Sequence, residues 1–200
     1  MDLIAWAIQK YNPSMKHFAG HFYHIYNRGV DKRDIFVHEE NYLFLLQRMY
    51  KYLPLYSTSL VAYCLMPNHY HMLLFANQDD SPGRFIQRLF NSYSQAFNIQ
   101  ERRSGTLFEG RAKSKLIFEN EYLFQITRYI HLNPVRAGLV QKPENWAYSN
   151  YREFVGMRKS PFFDVDFFES QFGSPEEYRL FVEDEIHMEI ENRVKKYYFD

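Results

Sequence analysis

One cysteine, Cys64, stands in 200 residues, so an intrachain disulfide is impossible and a cysteine-built zinc site is excluded. That usage fits a reducing compartment, and a cytoplasmic location is expected. No apolar run approaches the ~20 residues that a membrane-spanning helix needs. The opening MDLIAWAIQK lacks the basic start, apolar middle and small-residue cleavage site of a secretory signal. There is no internal repeat, no low-complexity tract and no helix-turn-helix signature, which disfavours plain duplex binding of that kind. Net charge is also lacking, with 24 Lys+Arg against 24 Asp+Glu.

That neutrality conceals an uneven distribution. Residues 1–160 carry 20 cations against 13 anions, whereas residues 161–200 carry 4 against 11. A basic body suits an anionic partner such as nucleic acid. The acidic tail reads either as a solvated face or as a shield over that body. Aromatic residues make up 19% of the chain, which argues for a packed core and against disorder.

Hydrophobic periodicity divides the chain into alternating strands and helices. Residues 1–19 form a lead-in with a short helical turn ahead of Asn12-Pro13. His21–Tyr26 (HFYHIY) reads as a strand closed by Asn27-Arg28-Gly29. Glu39–Leu53 places Tyr42, Leu45, Leu46 and Met49 at helical spacing, and Pro54 ends it. Thr58–Met66 and His69–Phe75 form a hairpin about Pro67-Asn68. A second helix starts from Ser81 as N-cap with Pro82 in the first turn and runs to about Gln100. Ala112–Phe118 is a further strand. A third helix follows, which Pro134 is expected to stop. SPFFDVDFF reads as a linker or docking strand, and the sequence from Pro175 as a terminal helix. The order β-α-β-β-α-β-α predicts an α+β, ferredoxin-like sandwich with a mostly antiparallel sheet, helices on one face and a C-terminal helical extension.

Three groups of residues carry chemistry. His69 and His71 lie two apart in a strand, so both imidazoles face the same way and can bind a divalent cation. Two nitrogens hold a metal loosely, so an oxygen donor is needed as well. The pair alone does not separate a metal site from coincidence among eight histidines. On the third helix Tyr129 and Asn133 are one turn apart, with Gln125 one turn earlier. A phenol beside an amide oxygen suits metal-assisted nucleophilic attack on phosphorus. Among 17 tyrosines the blander reading, a packed ring, applies to any one of them. Pro134 disturbs the helix at Asn133, leaving Asn133 and Gln125 both open as the third ligand. His131 falls on another face, as a structural hydrogen bonder. The alternation Arg111, Lys113, Lys115 puts three cations on one strand face, where they could track a phosphate backbone. Arg84, Arg88, Arg102 and Arg103 extend that track, with Tyr93 or Phe97 as stacking partners for unpaired bases. Singly, each is an ordinary surface charge or core ring.

Together these segments resemble the single-tyrosine HUH transposases (IS200-like), and within them the REP-associated tyrosine transposases. MPNHYHMLL is similar to their HUH strand, with Tyr70 in a place usually hydrophobic. YHIYNRG at 23–29, GTLFEGRAKS at 105–114 and RYIHLNPVRAGLV at 128–140 resemble the companion segments, and WAYSNYREFVG at 146–156 the closing one. The resemblance spans about residues 20–156, leaving 157–200 as an acidic extension. It implies that His69, His71 and Asn133 hold Mg²⁺ or Mn²⁺. It also implies that Tyr129 becomes joined to a 5′ phosphate, leaving a free 3′ hydroxyl. The implied substrate is single-stranded DNA carrying hairpins or palindromes, handled by a monomer, whereas insertion-sequence relatives are dimers.

Two other classes compete with an active nicking and rejoining enzyme. A domesticated nucleic-acid binder that has lost its chemistry has no need of His69, His71 and Tyr129 together. A metal-dependent hydrolase without covalent catalysis requires Tyr129→Phe to stay active and yields no trapped adduct.

Overall fold

Alternation along β1 (Phe22–Arg28) buries Tyr23 and Ile25 on one side, which leaves Phe22, His24 and Tyr26 on the other. This two-sided burial recurs in β2 (Thr58–Met66) and β3 (His69–Ala76), where Tyr63, Leu65, Tyr70, Met72 and Leu74 join the first side and Val61, Cys64, Met66 and Leu73 the second. The computed structural model describes residues 16–118 and 120–184. The strand order is β2-β3-β1-β4, with β4 at Lys113–Ile117 on the edge, and every neighbouring pair is antiparallel. The connectivity is that of the split βαβ sandwich, and the class is α+β as the element order predicts.

Helices α1 (Glu39–Tyr52) and α2 (Ser81–Gln100) cover the first side of the sheet through Tyr42, Leu45, Met49, Phe85, Leu89 and Tyr93. The start of α1 is tied by Asn41, whose Oδ1 accepts from the backbone N–H of Val37 at 3.0 Å and of His38 at 2.9 Å. The cap of α2 is Asp80, in the left-handed region at φ 57°, one residue earlier than expected; the Ser81 hydroxyl turns back to donate to the Gln78 carbonyl.

The one-sided arrangement of helices applies to α1 and α2 only. Helix α3 (Asn120–Arg136) crosses the second side, packing Ile126, Tyr129 and Ile130 against Val61, Cys64 and Leu73. Pro134 does not end it. The proline lies in the last turn, where its missing N–H removes one bond, and the ladder resumes as Ala137 donates to Asn133 and Leu139 to Pro134, both at 2.9 Å. Burial of the α3 face against the sheet outweighs that single loss.

The segment expected as a linker or docking strand is helical. Asp164 accepts from the Phe167 N–H at 2.9 Å and caps α5 (Val165–Phe172), after α4 (Tyr151–Phe154) and before α6 (Pro175–Asp184). Phe168, Phe172, Tyr178 and Val182 enter the same core as α3. His131 is the structural hydrogen bonder anticipated: its Nδ1 accepts from the Tyr178 hydroxyl at 2.7 Å and its Nε2–H donates to Asn150 Oδ1 at 3.0 Å. Asn150 also accepts from the Tyr63 N–H at 2.8 Å and donates to the Val61 carbonyl at 2.9 Å, joining α3 to β2. The helical turn of the lead-in and the end of the terminal helix lie outside the described residues, which include no helix long and apolar enough to cross a membrane.

Candidate active site

The sheet side covered by α3 carries the two histidines of β3. In the β1–β3 register His71 stands opposite Tyr26 and His69 opposite Arg28. The two imidazoles meet edge to face with centroids 5.1 Å apart. Each Nδ1 is engaged: that of His69 contacts Asn68 Oδ1 at 2.6 Å, and that of His71 contacts His24 Nε2 at 2.9 Å. That leaves Nε2 of each ring as the atom a cation could take, for His71 only where its Nδ1 carries the hydrogen. Burial pushes both pKa values below the usual 6.5, His71 well below, with His24 and His69 adding to the effect on His71. Both rings are uncharged at neutral pH, the form that binds metals.

Helix α3 brings Tyr129 and Asn133 over this pair. The Tyr129 ring meets His71 edge to face at 5.4 Å. Asn133 Nδ2 donates to the Tyr129 carbonyl at 2.8 Å, and its amide acts on both neighbours, raising the His69 pKa and lowering that of the Tyr129 phenol. Burial is the larger influence on that phenol and raises its pKa; Arg136, whose guanidinium sits 5.3 Å from the ring centroid, opposes it. Gln125 is placed differently: its Oε1 accepts from Arg128 at 2.6 Å, and Arg128 also bonds the Phe181 carbonyl at 3.0 Å. Among the described residues no group of three His, Cys, Asp or Glu side chains is arranged for a metal ion, so from these residues a cation at the histidine pair would need a donor of another kind. The Asn133 amide fits, giving two nitrogens and one oxygen.

The seven candidate cations do not form a single track. Lys113 and Lys115 pair with Tyr26 and His24 in the β1–β4 register, and so project on the same side of the sheet as the histidines. Lys113 Nζ lies 5.9 Å from the Tyr26 ring centroid. Arg111 is exposed just ahead of β4. Arg84 and Arg88 belong to α2, on the opposite side, where Arg84 bonds the Asp79 carbonyl at 3.2 Å and Arg88 lies 5.2 Å over Tyr52. Arg102 and Arg103 occupy the loop after α2, Arg103 donating to the Thr106 carbonyl at 2.9 Å. Tyr93 and Phe97 are 1% and 3% exposed and cannot stack bases; they are core rings of α2, as its apolar stripe requires.

Spacing alone does not single out His24, Tyr26 or Arg136. His24 and Tyr26 are two apart in β1 and stack at 4.9 Å, two rings on one strand face as His69 and His71 are in β3. The signal in YHIY is therefore present, but only strand pairing tells which neighbour it faces.

A split βαβ sheet presenting two imidazoles to a helix-borne tyrosine and asparagine defines a class of site suited to phosphoryl transfer. The chain belongs to the IS200-like transposase family, whose model matches residues 17–133, more than half of its length. It is 27% identical over 110 residues to a Haemophilus influenzae protein assigned by name to the REP-associated tyrosine transposases. That match covers 50% of this chain and 62% of the relative. A solved structure described as a REP-associated tyrosine transposase bound to a REP hairpin superposes with a TM-score of 0.63 at 15% identity. It covers 78% of this chain and 96% of that one, a likeness of fold.

Proposed function

We propose that this chain nicks and rejoins single-stranded DNA at hairpin or palindromic sequences through a covalent 5′-phosphotyrosine at Tyr129. The observation that carries the reading is the convergence of Tyr129 and Asn133 on His69 and His71, with the tyrosine ring 5.4 Å from His71. Binding alone needs no such arrangement. Residues 20–156 form the catalytic unit and residues 157–200 an acidic extension. Family membership makes DNA processing the natural setting, and the hairpin partner is inferred from the fold relative whose description names one.

The chemistry follows from the side chains. Tyr129 Oη attacks the phosphorus of a backbone phosphate. An Oη–P bond forms, the P–O3′ bond breaks, and the departing oxygen takes a proton to become a 3′ hydroxyl. Rejoining reverses this: a 3′ hydroxyl attacks the phosphotyrosine and releases the phenol. Asn133 and Arg136 ease loss of the phenolic proton against the pull of burial. A Mg²⁺ or Mn²⁺ ion held by His69, His71 and Asn133 would polarise a phosphate oxygen and offset its charge. Lys113 and Lys115 lie on the correct side to hold flanking phosphates. Because Tyr129, His69, His71 and Asn133 converge within one chain, the reading favours a monomer as the working form.

The test uses labelled hairpin-bearing single strands drawn from palindromes, incubated with Mn²⁺ or Mg²⁺ and resolved on a denaturing gel. A metal-dependent protein–DNA adduct that disappears in Tyr129→Phe is the expected result. Cleavage that survives the substitution would favour a hydrolase without a covalent step. Tight binding without cleavage would favour a catalytically silent DNA binder.

A further inference from the structure

We propose that His24 is a positioning residue for His71. In this arrangement its Nε2 accepts the His71 Nδ1–H, locking His71 in the tautomer whose Nε2 lone pair is free to take a divalent cation. The inference rests on the reading of His69 and His71 as cation ligands and extends it to a residue on a different strand.

The geometry is specific. The His24 Nε2 to His71 Nδ1 distance is 2.9 Å, and the rings are nearly parallel, 17° apart in orientation with centroids at 5.1 Å. His24 is 0% exposed and His71 6%, so water does not compete for the bond. In the β1–β3 register His24 stands opposite Leu73 and reaches His71 diagonally, on the same side of the sheet. Tyr26, directly opposite His71, stacks on His24 at 4.9 Å and fixes its ring plane. Neutral imidazole carries one hydrogen, so two imidazoles sharing one bond must choose a direction. If His24 donated, His71 would hold its hydrogen on Nε2 and have no lone pair left for a cation. Only donation from His71 frees Nε2, and an acceptor at the far nitrogen also steadies the ring and strengthens the ligand.

The full-length protein labelled with ¹⁵N-histidine reports the tautomer directly, through long-range ¹H–¹⁵N correlation at neutral pH without metal. His71 is expected as the Nδ1–H form in the wild type. It should drift towards a mixture in His24→Leu, which offers no acceptor. Mn²⁺ titration, read from the electron paramagnetic resonance of free ion, should show affinity about 10- to 100-fold weaker in His24→Leu. His24→Gln, whose side-chain oxygen can accept in the same place, should recover most of it. Metal-free hairpin binding and melting temperature serve as controls for the fold. His71 found as the Nε2–H form in the wild type would overturn the proposal. So would a folded His24→Leu that binds Mn²⁺ as tightly as the wild type. Failure of the wild type to bind Mn²⁺ while His71 holds its hydrogen on Nδ1 would instead strike the metal reading, and the role of His24 with it.

Discussion

Asn133 and Gln125 are both amides on α3, eight residues apart, yet their surroundings differ completely. The Asn133 amide lies beside His69 and Tyr129, whereas the Gln125 oxygen is already bonded to Arg128. Asn133→Ala is therefore expected to weaken Mn²⁺ binding by at least about tenfold by isothermal titration, with metal-free hairpin binding unchanged. Gln125→Ala should leave that affinity intact and instead cost about 1 kcal/mol of stability, from the lost bond to Arg128. The reverse pattern would transfer the oxygen ligand to Gln125. At this scale the sequence is a partial guide. His69, His71 and Tyr129 stand out because their spacing speaks of strand and helix faces. His24 does not, because its partner is 47 residues away and meets it only through strand pairing.

At the scale of elements, the C-terminal helices are fastened to the helix that carries the tyrosine. Asn150 makes three buried bonds, to the Tyr63 N–H, the Val61 carbonyl and His131. Asn150→Ala strands all three partners and is expected to cost about 3 kcal/mol or more, lowering the melting temperature by roughly 6–12 °C. Tyr178→Phe removes one bond to His131 and should cost about 1 kcal/mol, or roughly 2–4 °C. A Tyr178→Phe loss as large as that of Asn150→Ala would mean that the hydroxyl supports more than this bond. The first two helices are legible because each buries one regular stripe, and the strands because short aromatic and β-branched runs are bounded by turn residues. The expectation fails where tertiary burial overrides a local rule: Pro134 stays inside α3. It fails again at SPFFDVDFF, expected as a linker or docking strand, where Asp164 caps a helix.

Two properties belong to the molecule as a whole. The first is acid sensitivity. Burial holds the His24 pKa at about 3 and that of His131 at about 4, against 6.5 in the unfolded chain. Between these limits the unfolded chain binds protons that the folded one does not. Stability is therefore fully present above pH 6.5 and falls as pH drops towards 4 and then 3. Near pH 5 each of the two imidazoles costs about 2 kcal/mol, so the melting temperature should fall by on the order of 10 °C relative to pH 7. A flat profile from pH 7 to 5 would show that these rings are protonated in the fold. The second property is the sidedness of positive charge. Lys113→Ala and Lys115→Ala should each lower the salt slope of single-strand binding by about 0.7, whereas Arg84→Ala and Arg88→Ala, on the far side of the sheet, should leave it unchanged. Equal effects from both pairs would place the strand across both faces.

Tyr129 and Asn133 ride one turn apart on α3, while His69 and His71 are bolted into the sheet. In the proposed mechanism the nucleophile and one cation ligand thus travel together as a single rigid part, and the other two ligands stay with the opposing part. A displacement of α3 by the width of one side chain would disarm both functions at once, leaving neither a half-loaded metal site with a poised tyrosine nor the converse. In the proposed mechanism strand cutting thus depends on the seating of one helix, which Arg128 and His131 tie to Phe181 and Tyr178 of α6.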